Sequence, residues 1–336
     1  MKRPLGVAVG IAVSSIALAG LVVCARESRA QTWHMPLTPW GHPDLQGIWT
    51  TDAEIGIPVE RPVQYGEKAL LTDQDIDEKL KAQSGGNRRR ASANESVSPD
   101  LEQWYGKTGN ASRRTSLVVD PPDGRIPEYT VAAKERVVPK GTALGFVGGS
   151  FTDGPFDGPE DLNLFDRCIT RGLPTTWYPS QYSNGFQIVQ SRDHVALLYE
   201  RLHEARIIPL DGRPHLDPSA RWWLGDSRGR WEGQTLVVDV TNFSDQATFM
   251  KSGSTLHVIE RYTRVDPDTL TVSVTIDDPT TWVRPWTFRV TGKRDPDYWQ
   301  IFEGACHEGN YAMEHILSGA RATERGEAAA PAKKKD

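Results

Sequence analysis

The chain has 336 residues, 38% of them hydrophobic, enough to bury a sizeable core. Its net charge of −5 excludes the broad basic face that a nucleic-acid partner requires. Residues 1–30 read as a cleavable secretory signal. Lys2 and Arg3 open it, an apolar run extends from Leu5 to Val23, and Ser28-Arg29-Ala30 places small residues at −3 and −1 of a cleavage point. The Gly and Ser content of that run, with the small-residue site after it, favours removal over a lasting membrane anchor. Val23 also stands where an acylation site at Cys24 would want a small residue. Cleavage after Ala30 takes away Lys2, Arg3, Arg26 and Arg29 against Glu27 alone, and lowers the net charge to −8. The expectation is a mature periplasmic or secreted protein beginning at Gln31, without stable membrane insertion.

The first element is a helix over 73–82. Thr72 serves as its N-cap, Asp75 lies three residues on, and Leu71 is placed to staple against Ile76. From 85 to 175 the chain is rich in Pro and Gly, as in "DPPDGRIPEY", and reads mainly as long ordered loops over a β-core. Arg88-Arg89-Arg90 sits in one of those loops as a solvated run. The acidic loop 153–161, with Asp44 and Asp52, has no calcium-loop spacing. Cys168 and Cys306 survive maturation, and in an oxidising compartment two such residues read as a disulfide.

The second half, 176–320, alternates. "TLTVSVTIDD" sets Leu270, Val272, Val274 and Ile276 on one face and Thr271, Ser273, Thr275 and Asp277 on the other, which is a strand with one buried face. Further strands are expected at 185–191, 194–208, 235–243, 256–265, 282–290 and 298–306. About seven strands separated by short Gly, Asp and Pro turns predict a mainly β protein, an antiparallel meander closing into a barrel or sandwich. The organisation expected is one β-rich domain over 31–320, followed by a disordered tail over 321–336 that ends in "AAPAKKKD".

Five stretches, "TPWGHPDLQGIWT" (38–50), "IIPLDGRPH" (207–215), "GDSRGRWEGQTLVVDVTNF" (225–243), "DDPTTWVRPW" (277–286) and "ACHEGNY" (305–311), together resemble a large, mostly uncharacterised family of secreted bacterial proteins. Gly47-Ile48-Trp49 also resembles the G-x-W of a lipocalin first strand, which implies a lipocalin-like barrel.

"HEARII" (203–208) and "CHEGNY" (306–311) both begin like a zinc-protease helix. That chemistry needs a second His four residues on, where this chain has Ile207 and Tyr311. No metal and no cofactor are therefore expected, there being also no dinucleotide fingerprint, P-loop or haem motif. "GDSRG" (225–229) matches the nucleophile-elbow pattern, yet no helix follows it, so it reads as a turn between short strands. Treating 194–208 as one strand puts Glu200, Leu202, Glu204 and Arg206 on one face and Arg201 and His203 on the other. On 256–264, Glu260 shares a face with Val258 and Tyr262; on 298–307, Trp299, Ile301, Glu303 and His307 are co-facial. Ionisable groups among apolar walls are what an acid–base site needs, because such walls shift pKa values.

His203, His307, Glu260 and Glu303 are accordingly the candidate catalytic residues, with His203 and His307 converging as acid and base and Glu204 and Glu308 orienting them. Arg206, Asp226, Arg228, Trp231, Asn242, Asp278, Trp282, Trp286 and Tyr311 are candidate substrate contacts. Two functions fit. One is an exported enzyme, a lyase, isomerase or hydrolase, acting on a small cyclic substrate such as a glycoside or plant aromatic. The other is a non-catalytic periplasmic binding protein for an apolar or aromatic ligand.

Overall fold

The computed structural model describes residues 33–78, 113–144, 155–180 and 182–326. The expected signal segment, the Arg88–Arg90 run and the last residues of the tail lie outside them. From Met35 onward the described chain forms one compact unit.

The protein is mainly β, with ten strands in one antiparallel sheet. They are β1 (Gly47–Thr50), β2 (Val118–Asp120), β3 (Gly185–Gln190), β4 (His194–Tyr199), β5 (Ala205–Pro209), β6 (Asp226–Glu232), β7 (Thr235–Thr241), β8 (His257–Asp266), β9 (Thr269–Asp277) and β10 (Trp286–Lys293). The order across the sheet is β5-β4-β3-β1-β10-β9-β8-β7-β6, with β2 also paired to β10. The alternation of β8 and β9 is the alternation of burial: Val258, Glu260 and Tyr262 point inward on β8, and Leu270, Val272, Val274 and Ile276 on β9.

The sheet rolls until its two edges, β5 and β6, lie alongside each other, but no ladder pairing joins them. A glycine permits the approach. A Cβ at Gly229 on β6 would come within 2.6 Å of Leu210 Cδ2 and 2.8 Å of Ile208 Cγ2, so any larger residue would push β5 away. The result is a barrel with one open seam.

Its interior is filled rather than hollow. The turn Thr175–Trp177 drives Trp177 inside, edge-on to Phe186, Tyr199 and Tyr262 at centroid distances of 5.1, 5.5 and 5.7 Å. The Trp177 indole donates to Glu260 Oε1 at 2.6 Å. Arg206, from edge strand β5, reaches the same carboxylate with both terminal nitrogens, at 3.0 and 2.8 Å. It donates as well to the Tyr199 hydroxyl at 3.1 Å and to Ser227 Oγ on β6 at 2.9 Å. Glu260 is inaccessible to solvent and the Arg206 side chain is nearly so, 3% of it exposed. Two of the expected site residues, Glu260 and Arg206, are thus a core element spanning the seam.

Four expectations are corrected. Residues 194–208 are two strands, because Leu202 and His203 take left-handed backbone angles, φ +57° and +53°, and break the ladder between Tyr199 and Ala205. The face assignment across that break fails with it, and Arg206 lies opposite Leu197 rather than in line with Glu200. Residues 298–306 form no strand; apart from one bridge between Arg201 and Gly304 they run irregularly, the sheet's two unpaired edges, β5 and β6, facing each other across the seam. "GDSRG" is the start of strand β6, and the turn before it centres on Gly225, whose φ of +68° and 2.7 Å Cβ approach to the Thr241 carbonyl demand glycine. Finally, residues 321–324 close the helix Ala312–Glu324 and are ordered where a disordered tail is expected.

The helix expected at 73–82 is present over 73–78, with the remainder outside the described residues. Its reciprocal cap is formed: Asp75 N–H donates to Thr72 Oγ1 at 3.2 Å, and Thr72 N–H to Asp75 Oδ2 at 2.7 Å. Cys168 and Cys306 are joined in a disulfide across 138 residues of chain, with Cα atoms 5.8 Å apart.

Two stability outcomes follow from these contacts. Glu260→Ala leaves Arg206 charged and buried without its partner, and should cost about 3–5 kcal/mol in urea denaturation; a loss below about 1 kcal/mol would contradict the role given to the pair. Cys168→Ser should cost roughly 4–5 kcal/mol on the chain-entropy account, with no alkylatable thiol in the unreduced wild type by intact mass.

Candidate functional site

With the barrel interior packed, room for a ligand lies outside it. The most organised place is the seam. The loop 210–225, between β5 and β6, carries Trp222 and Trp223 to a cleft of about 360 Å³ along the open edge. Ile207, Leu216 and the two indoles form apolar walls, and Arg206, Ser227 and Asp226 supply its polar lining. Trp222 is 54% and Trp223 40% exposed, unusual for the largest apolar side chain and suited to stacking on a planar ring.

The loop holds its shape through polar ties to the outer face of β6 to β8. Asn242, at φ +58°, donates from Nδ2 to the Leu216 and Asp217 carbonyls at 3.1 and 3.0 Å. Trp222 N–H donates to Asn242 O at 3.0 Å. His215 descends onto the sheet with Nδ1 3.0 Å from Asp226 Oδ2 and Nε2 2.9 Å from Asp239 Oδ1. Asp239 Oδ2 in turn lies 3.0 Å from His257 Nε2. Register explains the chain: Arg228 on β6 faces Asp239 on β7, and His257 on β8 is a diagonal neighbour of Asp239, whose direct partner is Ile259.

Asp226, His215, Asp239 and His257 therefore form one hydrogen-bonded series from the cleft to the outer face of the sheet. Asp226 also takes Arg228 Nη1 at 2.5 Å and Leu216 N–H at 2.9 Å. The hydrogen bond to Asp239, helped by its charge and that of Asp277, raises the His257 pKa above its ordinary value. The same bond, with that from His215, lowers the Asp239 carboxyl. The series can hold a proton at one end and accept one at the other, which is the requirement for general acid–base work.

The residues singled out from sequence scatter. Asp226, Arg228 and Asn242 belong to the seam, and Arg206 lines it from beneath. Trp282 and Trp286 are core, in contact with each other and with Phe249. Asp278 ties two turns together, accepting from Ser252, Thr255 and Thr281 hydroxyls and from Thr280 N–H. Trp231 packs against the His42 ring at 5.5 Å, and Tyr311 is exposed beside His315.

His203 and Glu303 do meet, at 3.5 Å, beside a broad, open cleft of about 550 Å³ that also carries Trp299 and Phe302. Their side chains are 48% and 71% exposed, so bulk water screens the pair. His307 does not line that cleft. It sits in the turn after the disulfide, where its carbonyl accepts from Asn310 N–H at 3.2 Å. Glu204 turns the other way from His203, accepting from the Thr170 hydroxyl and from Arg171 N–H. Burial pushes its carboxyl up to about 7, against the lowering effect of the Thr170 hydroxyl and the Gly172 backbone.

His215, Asp239 and His257 are not among the expected site residues. A signal for one was present: in "TLVVDVT" Asp239 is the lone charge on the outward alternation of an otherwise apolar strand. The contribution of His215 depends on a sixteen-residue excursion folding back, which no local pattern announces.

Among the described residues no three His, Cys, Asp or Glu side chains are placed to hold a metal ion, and no helix is long and apolar enough to cross a membrane. No protein-family model and no curated protein matches the chain. A solved structure, that of a secretary abundant heat soluble protein from Ramazzottius varieornatus, aligns at 13% identity over 39% of this chain and 86% of its own, with a TM-score of 0.23.

A folded-state carboxyl raised from about 4.5 to about 7 binds its proton more tightly than the unfolded chain does, so it destabilises the fold as pH rises through that interval. Glu204→Gln should therefore gain stability relative to wild type between pH 5 and pH 8, read as the difference in urea midpoints. An unchanged difference across that range would show Glu204 to titrate normally.

Proposed function

We propose that this is an exported acid–base enzyme acting on a small ring-bearing molecule, a glycoside or a phenolic, held in the seam cleft. One observation carries the reading: two exposed indoles and the end carboxylate of the Asp226–His215–Asp239–His257 series line or adjoin the same cleft. The indoles would stack on the ring and Asp226 would exchange the proton, with His215 and Asp239 redistributing charge behind it. Export accords with the disulfide, which persists only in an oxidising compartment.

A second reading has its own support. Both Asp226 oxygens already accept hydrogen bonds, from Arg228 on one side and from His215 and Leu216 on the other. A carboxylate so fully engaged suits a binding protein that only presents a shaped cleft.

Tryptophan fluorescence titrations with a panel of glycosides and phenolics, followed by mass spectrometry of the incubated mixtures, separate the two. The enzyme reading expects saturable quenching and a product, with turnover lowered about 10²-fold or more by Asp226→Asn. Trp222→Ala with Trp223→Ala should weaken binding by about tenfold. Saturable quenching without product supports the carrier. Quenching that survives loss of both tryptophans would remove the seam cleft from either account.

A further inference from the structure

A second cleft, of about 510 Å³, lies against the disulfide. Its walls come from three places: Phe165 and Asp166 before Cys168, the stretch Gly304–Asn310 around Cys306, and Met313 and Ile316 on the helix Ala312–Glu324. The disulfide joins the first two walls, and Asn310 Nδ2 reinforces it by reaching the Asp166 carbonyl at 3.3 Å. No residue of the helix is buried, so Met313 and Ile316 present apolar surface that the cleft leaves partly uncovered.

Arg201 is what distinguishes this cleft from a packing defect. It lines the cavity, yet only 7% of it is exposed, and no carboxylate among the described residues lies within ion-pair distance of its guanidinium. Arg171, more deeply buried still, also meets only neutral acceptors, the Thr175 and Tyr178 carbonyls, but it does not line the cleft. Nη2 of Arg201 donates to the Ser180 hydroxyl and the Tyr182 carbonyl, and the guanidinium lies over the Phe165 and Tyr182 rings at 5.9 and 5.5 Å. Neutral acceptors and ring faces solvate a cation only in part. Burial accordingly pulls its pKa down to about 10.

We infer that the disulfide cleft is a binding site for a small organic monocarboxylate, whose anionic end pairs with Arg201 and whose apolar or aromatic body lies between Phe165 and the Met313–Ile316 face of the helix. Nη2 is taken by Ser180 and Tyr182, but Nη1 makes no hydrogen bond within the described residues and can donate to one carboxylate oxygen, a charge-assisted bond about twice as strong as a neutral one. Asp166 and Glu308 also line the cleft, and their charges oppose a second anionic group, which selects a monoanion over a dicarboxylate or a phosphate ester. This site shares no lining residue with the seam cleft, so the two readings stand or fall separately.

The test is a thermal-shift and calorimetric titration of the oxidised protein with benzoate, phenylacetate and octanoate, beside their amides and terephthalate. The expected result is a saturable stabilisation by at least one monocarboxylate, at least tenfold tighter than by its amide or by the dianion. Arg201→Met should weaken that binding at least tenfold. Because Arg201 also holds Ser180 and Tyr182, a second variant guards against misfolding: Met313→Glu changes a partly exposed residue and sets a repelling charge on the apolar wall. It too should weaken binding at least tenfold. Absence of binding by every monocarboxylate, equal affinity for acid and amide, or undiminished binding in Met313→Glu would each overturn the proposal.

Discussion

The ion pair between Arg206 and Glu260 is the contact on which the architecture turns. Removing two charges from water costs several kcal/mol per ion, and such a pair is tolerable only where geometry and additional donors compensate. Here the guanidinium meets the carboxylate with two nitrogens, and Trp177, Tyr199 and Ser227 satisfy much of what remains. Because Arg206 stands on one edge of the sheet and Ser227 on the other, the pair holds the seam at the point where no ladder closes it. Trp177, fixed by the same carboxylate, occupies the space that a hollow barrel would offer a ligand. The roomier clefts of the described residues accordingly lie outside the barrel, among loops that the sheet anchors.

Much of that architecture is written in two-residue periodicity. The strand β9 is the most legible because it packs one face on a core and leaves the other toward solvent, so apolar and polar residues alternate along it; β7 and β8 keep the same period with exceptions, at Val237 and at Glu260. Glu260 is a charge on the apolar face, and the same periodicity places it inward beside Tyr262; what it cannot disclose is the partner, which arrives from an edge strand more than fifty residues earlier. The failures have equally local causes. Leu202 and His203 bear no glycine-like mark of a left-handed turn, so "HVALLYERLHEARII" reads as one strand although it is two. Residues 298–306 have the aromatic composition of a strand, but the sheet's two unpaired edges face each other across the seam, and an edge is a property of the whole sheet.

The candidate site divides along the same line. Asp226, Arg228 and Asn242 are visible as polar residues clustered in one motif around β6 and β7, and they do lie together. The chemistry that makes them interesting comes from His215 and His257, which reach Asp239 from different elements and different distances along the chain. Of the two His-Glu pairs, one is split between a solvent-facing imidazole and a carboxyl folded under residues 170–171, and the other lies in the turn that follows the disulfide. Similar dipeptides in sequence have become dissimilar environments in space, since backbone angle and loop closure decide which way each side chain faces.

The seam is closed by side chains alone and carries the cleft with it. Amide hydrogen exchange on Glu260→Gln, compared with wild type, examines that claim strand by strand. If the pair holds the edge, β5 and the loop 210–225 should lose protection while β7, β8 and β9, which keep their ladder partners, retain it. Loss spread evenly over all strands, or no loss at β5, would mean that the seam is held by something other than Arg206 and Glu260.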